Sequence, residues 1–161
     1  MLLRKYQTSD CEELIKLFYD TVHTINAKDY TKTQLDIWAP KQIDSKKWDC
    51  SLQKHYSLVA LSHTIIIGFG DIDKTGYLDR LFVHADYQKQ GIATAICDEL
   101  EQAVNTDTIT VCASITAKPF FESRGYRVVR KQQVSKGGVF FTNYFMRKQY
   151  CNSDINIKVS E

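Results

Sequence analysis

From Leu81 to Ala93 the chain reads Leu-Phe-Val-His-Ala-Asp-Tyr-Gln-Lys-Gln-Gly-Ile-Ala, an apolar strand that enters a basic, glycine-bearing turn and then a helix. A helix start leaves backbone N–H groups unpaired and carries the positive end of the helix dipole, so this junction suits an anion such as a pyrophosphate. Gly91 lets the backbone approach a phosphate with no Cβ in the way, while Gln88, Lys89 and Gln90 add side-chain donors and one positive charge. The spacing matches neither G-x-G-x-x-G nor G-x-x-x-x-G-K-S/T, which argues against nicotinamide dinucleotides and nucleoside triphosphates. A second chemical candidate precedes the turn on the same strand. Alternation along Tyr77–Val83 sets Tyr77, Asp79, Leu81 and Val83 on one face and Leu78, Arg80 and Phe82 on the other, so Asp79 is the odd member of its face. Asp79 reads either as a carboxylate paired with Arg80 or Arg4, or as a general base.

The elements that must hold these groups follow from periodicity. A short strand at Leu2–Tyr6 leads to a helix opened by Ser9 and Glu12 as a capping box and running to about Ile25, with Leu14, Ile15, Leu17, Phe18, Val22 and Ile25 on its buried face. Short helices are expected at Thr33–Trp38, ending near Pro40, and at Ser45–Gln53. Ser57–Ser62 and Thr64–Phe69 read as a hairpin turning at Ser62-His63, and Asp73–Gly76 turns the chain into the strand Tyr77–Val83. Helix Gly91–Asn105 then crosses over to strand Thr108–Ala113, which makes a parallel pair with Tyr77–Val83. Lys118–Ser123 is a helix with Pro119 in its first turn, and Tyr126–Lys131 with Val139–Arg147 forms a last hairpin around Gly137-Gly138.

The 161 residues, 43% hydrophobic and 25% charged, suit one globular domain. A net charge of +2, with basic residues dispersed, argues against nucleic acid as a partner. Five cysteines, Cys11, Cys50, Cys97, Cys112 and Cys151, show no C-x-x-C pair and no histidine at zinc-ligand spacing, so they read as reduced thiols with no metal. No apolar run approaches the roughly 20 residues that cross a bilayer, and Met-Leu-Leu-Arg-Lys lacks a signal-peptide core. A soluble, cytoplasmic protein is expected, with no membrane partner.

Gln88-Lys89-Gln90-Gly91-Ile92-Ala93 resembles the Q/R-x-x-G-x-G/A signature of the GCN5-related N-acetyltransferases, and Leu81-Phe82-Val83 looks like that family's fourth strand. Ala113 to Tyr126, which includes Ala-Lys-Pro-Phe-Phe-Glu-Ser-Arg-Gly-Tyr, is similar to the family's A-x-x-F-Y-E-x-x-G-F helix. Two such segments in the right order say much more than either alone. The resemblance implies an α+β fold: a mixed, mostly antiparallel sheet of about six or seven strands, flanked by helices and splayed between strands 4 and 5. It implies one acetyltransferase domain over 1–147, with a polar tail over 148–161. Acetyl-CoA is the implied co-substrate, held by Leu81, Phe82, Val83, Gln88, Lys89, Gln90, Gly91, Ile92, Ala93, Thr94, Phe120 and Phe121.

The implied reaction moves an acetyl group to a primary amine, on a small molecule or a peptide, by direct attack in a ternary complex of a monomer or homodimer. A backbone N–H near Leu81 would meet the oxyanion, and Val83 and its neighbours would pair with the pantetheine amides. Two departures from the family pattern stand out. Tyr77 occupies the position of the usual glutamate base, leaving Asp79, Asp71 or Asp73 as substitutes. Phe121 occupies that of the usual tyrosine acid, leaving Tyr126, Tyr144, water, or proximity alone. The candidate catalytic set is thus Asp79, Tyr77 and Tyr144. Tyr19, His23, Asp29, Tyr30 and Trp38 gather around the implied acceptor cleft, His84 reads as exposed or phosphate-touching, and Trp38 and Trp48 as packing or substrate stacking. The missing tyrosine also leaves open a CoA-binding regulatory module without turnover.

Overall fold

Arg4 on the first strand explains where the first helix begins. In the computed structural model, which describes residues 1–149, Arg4 forks onto the Asp10 carboxylate at 2.8 and 2.9 Å, and the same carboxylate accepts the Gln7 N–H at 2.9 Å. The capping pair is therefore Gln7 with Asp10 rather than Ser9 with Glu12, because an ion pair to β1 (Leu2–Lys5) fixes Asp10 in place. Helix α1 (Cys11–Thr24) buries Leu14, Leu17, Phe18 and Val22. Helices α2 (Lys32–Trp38) and α3 (Ser45–Lys54) follow, opened by Thr31 and by Asp44, whose side chains accept the first backbone N–H groups.

Strands β2 (Tyr56–Ser62), β3 (Ile65–Ile72) and β4 (Tyr77–Val83) form a meander, and α4 (Ile92–Ala103) crosses to β5 (Thr108–Ser114). The short helix α5 (Lys118–Ser123) precedes the hairpin β6 (Arg127–Lys136) and β7 (Val139–Gln149). The turn between β2 and β3 falls at His63-Thr64, one residue later than expected, with His63 left-handed at φ 55°. Strand β6 runs five residues further than its apolar pattern suggests. It is an exposed edge strand over most of its length, and the Gly137-Gly138 turn, with both φ positive, fixes its register against β7 to the tip. Lys148 and Gln149, expected in a tail, belong to β7, and the rest of that segment lies outside the described residues.

Among the described residues, seven strands make one sheet in the order β1-β2-β3-β4-β5-β7-β6, antiparallel throughout except for β4 and β5. One face packs on α4 and α5 through Ile96, Leu100, Ile109 and Phe121, and the other packs on α1, α2 and α3 through Leu14, Val22, Leu52 and Phe69. Gly68 and Gly70 let α4 close onto β3, since a Cβ on either would meet Ile92 or Ile96 at 3.0 Å. No described helix is long and apolar enough to cross a membrane.

The alternation expected along β4 does not hold. Asp71 pairs with Arg80 while Ile72 pairs with Leu78, so Asp79 is an extra, bulged residue. The bulge buries Leu78 in the same cluster as Leu81 and Val83, and brings the Asp79 carboxylate to within 3.5 Å of the Arg80 guanidinium. Asp79 therefore sides with Arg80 instead of standing opposite to it.

Candidate active site

A cleft of about 1250 Å³ opens where β4 and β5 part. Their pairing is confined to Tyr77 with Thr110 and Leu78 with Val111, after which the strands diverge. The His84 N–H bonds the Ile67 carbonyl at 2.8 Å, and the antiparallel ladder repeats every second residue, so Phe82 faces Phe69 as the next hydrogen-bonded pair. The N–H groups of Leu81 and Val83 consequently point away from β3, into the gap. The Val83 carbonyl is filled by Thr21 Oγ1 at 3.2 Å and Gln88 Nε2 at 2.7 Å. Its free offering to a ligand is its N–H alone.

At the far end of the gap lies the mouth of α4. Gly91 is its N-cap, at φ 81°, with no side-chain cap, and the first intrahelical bond runs from Ala95 N–H to the Gly91 carbonyl. The amides of Ile92, Ala93 and Thr94 precede that bond, and all three residues line the cleft together with Gln88, Lys89 and Gly91. Lys89 is also left-handed, at φ 59°, and left-handed residues interleaved with others shape the backbone concavities that hold anions. A Cβ on Gly91 would enter open space, with no atom of the described residues other than its chain neighbours within 4 Å. Bare amides, a lysine and an open approach suit a diphosphate, so the residues present fit coenzyme A. Gln88 contributes differently from expectation, because its side-chain amide ties the turn back to Val83.

On the opposite wall, Asp79 belongs to an ionic cluster. The fully buried Asp71 accepts from Arg80 at 2.6 Å and from His55 Nδ1 at 2.7 Å, both through Oδ2, while its Oδ1 has no partner among the described residues. Arg80 also reaches Ser51 at 3.1 Å and lies over the Trp48 ring at 4.8 Å. His55, Asp71 and Asp79 present ligand atoms within 4.8 Å of one another, yet Arg80 already sets a permanent positive charge on Asp71. Burial, then the neighbouring Asp71 charge, push the Asp79 carboxyl above the ordinary carboxylate range, and Arg80 and His55 offset only part of this. The Asp71 hydrogen bond raises His55 in turn, against the effect of its burial. With 35% of its side chain open, Asp79 is the carboxylate of this cluster that lines the cleft. Asp73, the third candidate base, caps its own turn through Thr75 and the Tyr77 N–H.

The remaining candidates divide clearly. Tyr77 is half buried against Cys112, and burial raises its pKa; it does not line the cleft. Tyr144 sits beneath Lys118 Nζ at 5.1 Å and is also absent from the lining. Tyr126 is buried with its hydroxyl on Glu101 at 2.6 Å. Phe121, 2% exposed, packs edge-on to Phe120 and Tyr126. Cys97 is buried, which pushes its thiol up to about 12, and so is no nucleophile. Of the acceptor-side residues, Tyr30 and Trp38 line the cleft. Asp29 instead accepts from Thr116 at 2.7 Å, His23 bonds the Ala39 carbonyl at 2.7 Å, and Tyr19 stacks on His23 away from the lining. His84 caps the turn at 85–87 by accepting the Asp86 N–H.

Sequence reasoning missed His55, along with Phe18 and Phe141 as cleft walls. The β2–β3 register would have found His55, since pairing Tyr56 with Ile72 sets His55 near Asp71.

Residues 26–148 match the family model described as an acetyltransferase (GNAT) domain. Among curated proteins, the uncharacterized N-acetyltransferase YafP of Escherichia coli K12 is 37% identical over 146 residues, covering 90% of this chain and 93% of that protein. Among solved structures, a GCN5-related N-acetyltransferase from Rhodopseudomonas palustris superposes with a TM-score of 0.89 at 29% identity, over 92% of this chain and 95% of the other. The PaiA N-acetyltransferase of Thermoplasma acidophilum, crystallised with coenzyme A, shares the fold with a TM-score of 0.73 at 18% identity, over 92% of this chain and 98% of its own.

Proposed function

Given that the chain belongs to the GNAT acetyltransferase family, we propose that it transfers an acetyl group from acetyl-CoA to a primary amine by direct attack, with Asp79 as the general base. The observation that carries this reading is one cleft that joins the uncapped, glycine-led mouth of α4 to the Asp79 carboxylate through the gap between β4 and β5. Amides of Gly91 to Thr94, with Lys89, would hold the diphosphate, and Phe120 would pack on the pantetheine arm. Acetyl-CoA supplies an activated thioester.

Asp79 takes the proton that an ammonium must lose before its nitrogen has a lone pair for attack. A carboxyl raised by burial accepts that proton more readily than an ordinary aspartate. The Leu81 N–H, turned into the gap, stabilises negative charge on the acyl oxygen. The N–C bond forms and the C–S bond breaks, coenzyme A leaves as the thiolate, and the second proton that the nitrogen sheds on becoming an amide passes through water to that thiolate. Phe121 offers no proton to that sulfur. A thiol of ordinary pKa about 8.5 departs without one far more easily than an alcohol would. Alignment of the two substrates can itself supply roughly 7–11 kcal/mol.

Two measurements test this. Calorimetry should show coenzyme A binding, and a panel of amines should release free thiol from acetyl-CoA. Binding with no release on any amine would replace catalysis with a regulatory CoA-binding module, and no binding would remove both readings.

A further inference from the structure

The acceptor side of the cleft is walled by aromatic rings contributed by separate elements. Phe18 from α1 meets Trp48 of α3 at 5.0 Å and Phe82 of β4 at 4.9 Å. Trp38 of α2 continues from Phe82 at 6.4 Å to Tyr30 at 5.2 Å, and Tyr30 reaches Phe141 of β7 at 6.5 Å. All six line the cleft, so the belt runs without interruption from the tip of the last hairpin to the Asp79–Arg80 pair. Only Phe18 is buried; the others are partly open. Rings serving only as core would not be left facing a cavity of this size.

Charge narrows what such a belt can hold. On this side the lining carboxylates are Asp44 and Asp79, against Lys28, Lys47 and Lys136, the Arg80 charge being spent on the buried Asp71. An aromatic cage can also hold cations, but the Trp48 face is already taken by Arg80 at 4.8 Å. The excess of positive charge opposes any ligand cation beyond the amine at Asp79. What remains favourable is flat, apolar, polarisable surface, which packs on tilted and edge-on rings better than a saturated body of equal area.

We infer that the acceptor is a primary amine carried on an aromatic body with no further positive charge, its ring lodged against Trp38, Tyr30 and Phe141 and its nitrogen turned to Asp79. This rests on the acetyltransferase reading. The amine nitrogen gains the acetyl carbon and the C–S bond breaks; of the two protons the ammonium gives up, one passes to Asp79 and on to solvent and the other passes through water to the departing thiolate, so the products are an arylalkyl acetamide and the CoA thiol.

The test titrates CoA-saturated protein calorimetrically with 2-phenylethylamine, tryptamine, 2-cyclohexylethylamine and spermidine, and follows thiol release from acetyl-CoA with the same four. The aromatic amines should bind about three- to ten-fold more tightly than the cyclohexyl analogue of equal reach. They should bind at least about ten-fold more tightly than spermidine, and kcat/KM should follow the same order. Trp38→Ala should erase the advantage over the cyclohexyl amine, Trp38→Phe should restore part of it, and the acetyl-CoA dissociation constant should stay unchanged in both. Phe141→Ala, on a different element, repeats the test should Trp38→Ala fail to fold. Equal or tighter binding of the cyclohexyl amine or spermidine overturns the inference, as does an aromatic preference that survives these substitutions. Binding of none of the four amines overturns it too, while CoA binding leaves the acetyltransferase reading standing; a protein that does not bind CoA loses both.

Discussion

Asp79 owes its chemistry to neighbours distant in sequence. Asp71, eight residues earlier, adds a like charge that helps burial raise the Asp79 carboxyl, while Arg80 and His55 pull it down. Catalysis needs the ionised form, so kcat/KM should rise with pH through the Asp79 pKa, with an acid limb above the roughly 3.9 of a free aspartate. The cluster predicts opposite displacements of that limb. Asp71→Asn removes the like charge and frees Arg80 for Asp79, which lowers the limb; His55→Gln removes a positive charge, which raises it. Asp79→Asn should reduce kcat by about 10²- to 10⁴-fold with acetyl-CoA affinity unchanged. Rate profiles between pH 4 and 9 check all three, and equal limbs in the two neighbour variants would remove Asp79 from the base position. This carboxylate was legible as a candidate in the sequence, but its side of the sheet was not, because one bulged residue inverts the period-two pattern and no residue type in Leu78-Asp79-Arg80 announces a bulge.

Elements were more legible than residues. The strand, basic glycine turn and helix at 81–103 appear where the apolar pattern and Gly91 place them, since a left-handed N-cap at φ 81° all but requires glycine. The polar half of β6 was invisible for a physical reason: an edge strand facing water carries no apolar alternation, and its extent is set by the hairpin turn. At α4 the helix dipole, bare amides and open space above Gly91 act together, which makes one substitution informative. Gly91→Glu places a carboxylate against the amides proposed to hold the diphosphate, and should weaken coenzyme A by about 100-fold or more in calorimetry. Its cost to folding is the strain of a side chain in the left-handed region, about 1–2 kcal/mol, since among the described residues nothing but its chain neighbours stands within 4 Å of the new Cβ. A melting curve separates the two effects, and unchanged CoA affinity in a folded variant would take the diphosphate away from α4.

For the molecule as a whole, the cleft exists because residues far apart in the chain close it. Tyr30 accepts the Ile115 N–H at 2.9 Å and donates to the Thr142 carbonyl at 3.2 Å, tying the segment before α2 to the ends of β5 and β7. Asp29 on Thr116 and Gln34 on the Phe140 carbonyl reinforce the tie, and Ile37 packs beneath Gly137 at the hairpin tip. None of this was legible in the sequence, since these partners lie some 85 to 112 residues apart and their polar types suggest only solvent. Tyr30 joins the strap to the aromatic belt, so Tyr30→Phe separates the two: the ring stays, while the Ile115 N–H and the Thr142 carbonyl lose their partner. Leaving these partly buried groups unpaired should cost about 1–3 kcal/mol in urea unfolding. The loosened strap should raise KM for the amine several-fold while KM for acetyl-CoA, proposed to bind at α4 on the other side of the gap, changes little. Were both KM values to rise together, the strap would be bracing the entire cleft rather than its acceptor half.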